Sequence, residues 1–349
     1  MKAVRLHAYD QWPTVDDIPE PKITGPFDVI VRIGGAGLCR TDLHIWEGQW
    51  APKTNVPLPY TIGHENAGWV HEVGSAVTNV KPGDAVICHP HVTCGLCAPC
   101  RDGNDMHCVT PRFPGIDSDG GWAELLLTSA RSVVPLPDGV EPADVAAHAD
   151  AGLTAYHAVK KAIMRRDEGG ASLLLPGRFA MVIGAGGLGH IGLQSLKAMC
   201  AADVIVADTS PEVLELSHDW GADHLVLVDG TEREKVMDIT NGNGCEAVLD
   251  FVGEKGAIEF GWDSTRRDGS HFVIGYGENV NVPTIDIIST ERSFVGNLVG
   301  TYNDLAELMV LQAKGDVTLY TQKFSLDEAV DAMQELHHER LHGRGILIP

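Results

Sequence analysis

Four cysteines crowd into fifteen residues as Cys94-x2-Cys97-x2-Cys100-x7-Cys108. Thiolates are soft ligands that suit zinc, and the seven residues before the last of them give the chain room to turn back and close a tetrahedral shell. Four thiolates fill that shell, so a metal held there is structural and has no open position for catalysis. The other four cysteines, Cys39, Cys88, Cys200 and Cys245, are scattered. Such lopsided placement favours metal binding over a disulfide framework. Cys39 and His64 are weaker signals taken singly, because a lone cysteine is most often a buried apolar thiol and a lone histidine is as readily a hydrogen-bonded core residue.

A second constellation is Gly184-Ala185-Gly186-Gly187-Leu188-Gly189, which follows an apolar run, Phe179 to Ile183, and opens a helix-like segment. Asp208 ends the next apolar run nineteen residues after Gly189. In that context the pattern is a dinucleotide fingerprint. Gly184 allows the tight turn, Gly186 lets the backbone approach a pyrophosphate, Gly189 permits close helix–strand packing, and the helix N-terminus attracts the anion. Gly187 and Leu188 complete the loop. Asp208 would accept hydrogen bonds from a ribose diol and repel a 2′-phosphate, and no Lys or Arg follows it immediately, so the cofactor expected is NAD.

The elements that must position these groups change in character near residue 150. Fifteen of the 19 prolines lie within residues 1–142. There, short runs such as Val29 to Ile33, Gly68 to Val73 and Ala85 to Cys88 are separated by Gly, Pro and Asp turns, which reads as an irregular β-barrel. Beyond residue 150, six apolar strand candidates alternate with helix-length segments: Phe179 to Ile183, Val204 to Ala207, Leu225 to Val228, Ala247 to Val252, His271 to Gly275 and Phe294 to Gly296. Continuous apolar strands of this kind form a parallel sheet covered on both faces, and six is the count of a full doubly wound dinucleotide fold. The tail returns to helix, with Leu305, Leu308 and Met309 on one face ending at Gly315. A capping box, Ser325-x-x-Glu328, then opens a second helix, and a strand-like run, Gly345 to Ile348, follows.

The chain of 349 residues carries 26 Lys+Arg against 48 Asp+Glu, a formal net charge of −22. With no basic cluster to release counterions from a phosphate backbone, nucleic acid and anionic membrane are poor partners. No apolar run approaches a bilayer span, and the opening residues alternate like a strand rather than forming an apolar signal core. The expectation is a soluble cytoplasmic protein acting on a small molecule.

Two further strings complete the pattern: Gly34-Gly35-Ala36-Gly37-Leu38-Cys39-Arg40-Thr41-Asp42-Leu43-His44, and Gly63-His64-Glu65. With the cysteine lobe and the glycine fingerprint, they resemble the zinc-dependent medium-chain alcohol dehydrogenases, in the right order over essentially the whole chain. The resemblance implies an α/β protein: a GroES-like β-barrel catalytic domain over 1–153, with the structural-zinc lobe at about 90–112; a Rossmann doubly wound six-stranded parallel sheet over 154–293; and a return to the catalytic domain over 294–349. It implies two zinc ions per chain, the catalytic one on Cys39, His64 and Asp150 in Ala149-Asp150-Ala151-Gly152-Leu153-Thr154, with Glu65 as rival ligand. Many relatives carry Cys where Asp150 stands; the carboxylate is harder and less electron-donating than a thiolate, and leaves the zinc more Lewis-acidic.

The implied reaction passes hydride from a zinc-bound alkoxide to NAD, interconverting primary or secondary alcohols with aldehydes or ketones, while Thr41 hands the alcohol proton through the cofactor ribose to His44. Asp42 is implied to fix the tautomer of His64, and Arg40 and Arg344 to contact pyrophosphate. Thr154, Val252, Ile274 and Leu298 are implied near the nicotinamide, and Trp46, Trp50, Phe113 and Leu298 are candidates for the alcohol pocket. Plainer roles stay open: Thr41 as a helix cap, Asp42 as a turn carboxylate, the arginines as solvated charges, the aromatics as core. A polyol or other medium-chain dehydrogenase is the nearest alternative; a non-catalytic NAD- or zinc-binding regulator is the alternative outside the class. Relatives of this kind are homo-oligomers, dimers or tetramers.

Overall fold

The computed structural model describes residues 1–166, 170–341 and 343–349. They form two compact units, one of Met1–Leu153, Gly300–Gly315 and Leu319–Pro349, the other of Thr154–Val299 and Asp316–Thr318.

In the first unit a long strand, Asp28–Leu38, pairs antiparallel with Glu65–Val73, Leu125–Ser129 and Arg344–Ile348. The sheet continues through Ala85–Cys88 to Val133–Pro135 on one side and, from Arg344–Ile348, to Thr321–Ser325 on the other. Its pairing slips between Ile30 and Val31 and again between Ile33 and Gly35, and irregularities of this kind bend a strand and curl a sheet toward a barrel. Val29, Val31, Ile33, Val70, Val86 and Trp122 meet inside, all buried. A smaller antiparallel sheet joins Thr14–Asp17, Lys2–Leu6 and Tyr60–Thr61.

The second unit holds six parallel strands in the order His224–Leu227, Asp203–Asp208, Phe179–Ile183, Cys245–Asp250, Thr265–Val273 and Ser293–Gly296. The order reverses beside Phe179–Ile183, the switch point at which such sheets bind ligands outside the strands' carboxyl ends. All six expected strands are present. Thr265–Val273 differs most from its expected span: it starts within the polar run Thr265-Arg266-Arg267-Asp268 and stops before Gly275. Because Ser293–Gly296 pairs with Thr265–Val273, the second unit extends to Val299 and the return begins at Gly300 rather than at 294.

The returning helix, Tyr302–Lys314, buries Leu305, Leu308 and Met309 and ends where Gly315 takes φ +77°. Ser325 and Glu328 form the capping box, opening a single turn, Leu326–Glu328, that leads into the helix Ala329–His337. Among the described residues no helix is long and apolar enough to cross a membrane.

Candidate active site

The four lobe cysteines bring their sulfurs within 4.8 Å of one another. Tetrahedral zinc with bonds of about 2.3 Å sets its sulfurs roughly 3.8 Å apart, so the donors fit that ion. None of the eight cysteines is in a disulfide. Backbone N–H groups of Leu96 and Cys97 lower the Cys94 thiol to about 6, and those of Val109 and Cys100 lower Cys97. Donors aimed at sulfur favour the thiolate, the form that binds metal. Cys97 starts the turn Ala98–Arg101, and a second turn, Asp105–His107, delivers Cys108.

A second cluster gathers ligand atoms of Cys39, His64, Glu65 and Asp150 within 4.8 Å, with His64 Nε2 3.4 Å from Asp150 Oδ2. Cys39 leaves the end of the central strand and stands just before the helix Arg40–Trp46. His64 follows Gly63, which takes φ +99° and lies so close to Trp122 that a Cβ would come within 1.9 Å of its ring; only glycine fits both demands. Asp42 links the two: its Oδ2 accepts the Cys39 N–H at 2.8 Å, and its Oδ1 stands 3.2 Å from His64 Nδ1. Both nitrogens of this fully buried imidazole nevertheless lack a well-aligned hydrogen bond. Burial alone would lower its pKa, but the Asp42 charge and contacts with Asp150, Asp42 and Cys39 hold it well above the ordinary value. Such surroundings call for a cation at the ring, which a divalent metal supplies in place of the proton.

Glu65 is differently placed. Its Oε1 accepts the Ala151 N–H at 3.0 Å and its Oε2 accepts from Arg344 Nη2, in an ion pair with both partners buried. Arg344 therefore offsets one of the three acidic groups. Cys39 as thiolate and Asp150 would then supply the two negative charges that balance one Zn²⁺ beside a neutral His64. Arg344, expected at pyrophosphate, is paired with Glu65 beside the metal cluster, and its Nε lacks a hydrogen-bond partner among the described residues.

Thr41 and His44 lie three residues apart on Arg40–Trp46, a spacing that sets side chains on one helix face, and both are half-buried. Thr41 is not the cap of this helix; Cys39 occupies that position. Arg40 is exposed, 3.8 Å from Glu339. Among the pocket candidates of this unit, Phe113 stands edge-on to His64 at 5.8 Å, whereas Trp46 stacks on Trp12 at 4.3 Å and Trp50 lies under Lys53. His91 also reaches this neighbourhood, packed on Phe113 at 4.4 Å. Sequence reasoning passed over it; the one available sign was His89-Pro90-His91 directly before the cysteine lobe.

In the other unit, the loop Gly184 to Gly189 joins Phe179–Ile183 to the helix Gly189–Met199. A Cβ on Gly189 would stand 1.8 Å from the Gly184 carbonyl, while open space surrounds Gly186. Asp208 accepts the Ala185 N–H and the Ser210 N–H, each at 2.9 Å, so its carboxylate is fixed at the loop. Val252, Ile274 and Leu298 follow the carboxyl ends of three neighbouring strands, and Leu298 is exposed. Thr154 lies in the first turn of the helix Ala151–Met164.

A GroES-like barrel with one closed and one open metal-ligand set, on a chain that also builds a dinucleotide-binding sheet, defines the zinc-binding dehydrogenases. Residues 25–138 match the alcohol dehydrogenase GroES-like domain, and residues 187–314 match the zinc-binding dehydrogenase domain. The chain is 32% identical to an alcohol dehydrogenase of Geobacillus stearothermophilus over 99% of its length and 98% of that protein. It is 31% identical to the NAD-dependent alcohol dehydrogenase of Sulfurisphaera tokodaii, with both chains fully covered. The crystal structure of the alcohol dehydrogenase from Aeropyrum pernix superposes with a TM-score of 0.94 at 43% identity, again over the whole of both chains. The chain belongs to the zinc-dependent medium-chain alcohol dehydrogenase family.

Proposed function

We propose that the protein is an NAD-dependent zinc alcohol dehydrogenase that interconverts primary or secondary alcohols with aldehydes or ketones. The observation that carries this reading is the buried His64 imidazole, short of hydrogen-bond partners on both nitrogens, set between Cys39 and Asp150. Cys39, His64 and Asp150 hold the catalytic zinc, and Cys94, Cys97, Cys100 and Cys108 hold the structural one. When bound, zinc polarises the alcohol oxygen and NAD accepts the hydride.

The chain's own residues supply orientation and proton movement. Asp42 fixes the His64 ring, as outer carboxylates do for metal-bound imidazoles. Arg344 holds Glu65 in an ion pair at the edge of the donor set. Thr41 Oγ1 takes the proton leaving the alcohol as it gives up its own hydroxyl proton along the relay toward His44, whose imidazole, one turn further on, passes it toward solvent. The Gly184 to Gly189 loop and Asp208 orient NAD, with Thr154, Val252, Ile274 and Leu298 near its nicotinamide.

The cytoplasm suits a chain with eight unbonded thiols. A homo-oligomer is supported by Ile285 and Ile288, 64% and 71% exposed on the helix Thr284–Thr290 that precedes the edge strand Ser293–Gly296 in sequence. The test is NADH absorbance when zinc-loaded protein meets NAD⁺ and a panel of linear, branched, cyclic and aromatic alcohols. A signal abolished by chelation is the expected result; silence across the panel with zinc and NAD bound rejects the reading.

A further inference from the structure

His91 stands beside the metal cluster and has no part in the mechanism above. Two backbone hydrogen bonds between Val92 and Arg112, at 2.8 and 3.0 Å, set His91 opposite Phe113, whose ring also faces His64. The backbone of His91 is pinned at both ends: its carbonyl accepts the Ser132 hydroxyl at 2.9 Å, and its N–H donates to His89 Nδ1 at 3.3 Å. The ring is 7% exposed, and its Nδ1 is buried with no hydrogen-bond partner among the described residues. Burial, aided by the neighbouring His89, lowers its pKa to about 4 against the opposing pull of Asp150. At neutral pH it is therefore an uncharged imidazole, with one nitrogen to donate and one to accept.

A buried polar nitrogen without a partner is costly and rare in a native fold, and a purely alkyl pocket would be lined at lower cost by a leucine or a phenylalanine. Phe113 packs against both histidine rings, at 5.8 and 4.4 Å, and the Asp150 charge acts on His91, so His91 borders the metal cluster closely enough to share one small substrate with it. Resting on the dehydrogenase reading above, we propose that His91 is a specificity-determining residue that hydrogen-bonds a second oxygen of the substrate. The favoured alcohols then carry a hydroxyl or carbonyl on the carbon next to the carbinol carbon, as vicinal diols and α-hydroxy ketones do.

Butane-2,3-diol and 3-methylbutan-2-ol test this directly. They share shape and a secondary carbinol, and differ in one hydroxyl against one methyl. With zinc-loaded holoenzyme and NAD⁺, kcat/KM is expected to favour the diol. In His91→Phe the ratio of the two values falls about tenfold, the worth of one hydrogen bond at a buried site, while His91→Gln, which still offers a donor and an acceptor, keeps most of it. Taking the ratio within one preparation cancels differences in zinc content and folded fraction. A wild-type preference for 3-methylbutan-2-ol, or a ratio unchanged in His91→Phe, overturns the role of His91 and leaves the dehydrogenase standing. Failure to oxidise these two and every other alcohol of the panel overturns the dehydrogenase reading, and this inference with it.

Discussion

Replacing Arg344 with Met tests how far the buried Glu65 carboxylate depends on its ion pair. The guanidinium is 4% exposed, and Glu65 is fully buried with one further hydrogen bond, from the Ala151 N–H. Removing the arginine leaves a buried carboxylate uncompensated beside Asp150, a change that costs about 3–5 kcal/mol. For a unit of this size, at roughly 2–4 °C per kcal/mol, thermal unfolding followed by circular dichroism should shift down by on the order of 10 °C. Glu65→Gln in the same chain removes the charge and keeps an acceptor for the Ala151 N–H, so the double variant should regain at least half of the loss. The sign of the pH dependence is fixed as well. Burial raises the Glu65 pKa above its ordinary 4.5 and Arg344 opposes the rise, so the single variant carries a still higher folded-state value. A carboxyl of that kind binds its proton more tightly when folded, and stability therefore falls as pH climbs from the ordinary value through the folded one. The deficit of Arg344→Met should accordingly widen toward neutral pH. A loss under about 1 kcal/mol, or a double variant no more stable than the single one, refutes the reasoning.

Asp150→Ala should reduce bound zinc from two ions to one, with the four-thiol ion retained; elemental analysis that still finds both ions removes Asp150 from the ligand set. Thr41→Ala should lower kcat by on the order of 10²-fold while NAD affinity, measured by calorimetry, stays level, and an unchanged kcat rejects the proton route. The net charge of −22 implies self-repulsion that salt screens, so the melting temperature should rise between low and near-molar sodium chloride. A flat or falling curve would mean that the acidic groups are already compensated locally.

Legibility in the sequence followed the range over which each feature is built. The cysteine lobe and the glycine fingerprint are local: spacing alone sets which atoms meet, and the structure assembles both. The strands of the parallel sheet are legible because burial on both faces leaves continuous apolar runs such as Phe179–Ile183. Thr321–Ser325 gives no such trace, for it is a sheet-edge strand of mostly polar residues, and Ser293–Gly296 is too short to mark where the second unit ends. Long-range pairing is where the pattern is mute. Glu65 and Arg344 are 279 residues apart, and nothing in either flanking string says which carboxylate the arginine will meet.

That pairing decides the chemistry of the cluster. Three acidic groups and a histidine around one divalent ion would leave an excess negative charge in a buried site, where it is least tolerable. With Arg344 opposite Glu65, a thiolate at Cys39 and a carboxylate at Asp150 would balance the metal, as two thiolates at those positions would. Asp150 and the buried Glu65–Arg344 pair are thus parts of one electrostatic arrangement, and a change in the pair should be felt in the metal affinity of the cluster.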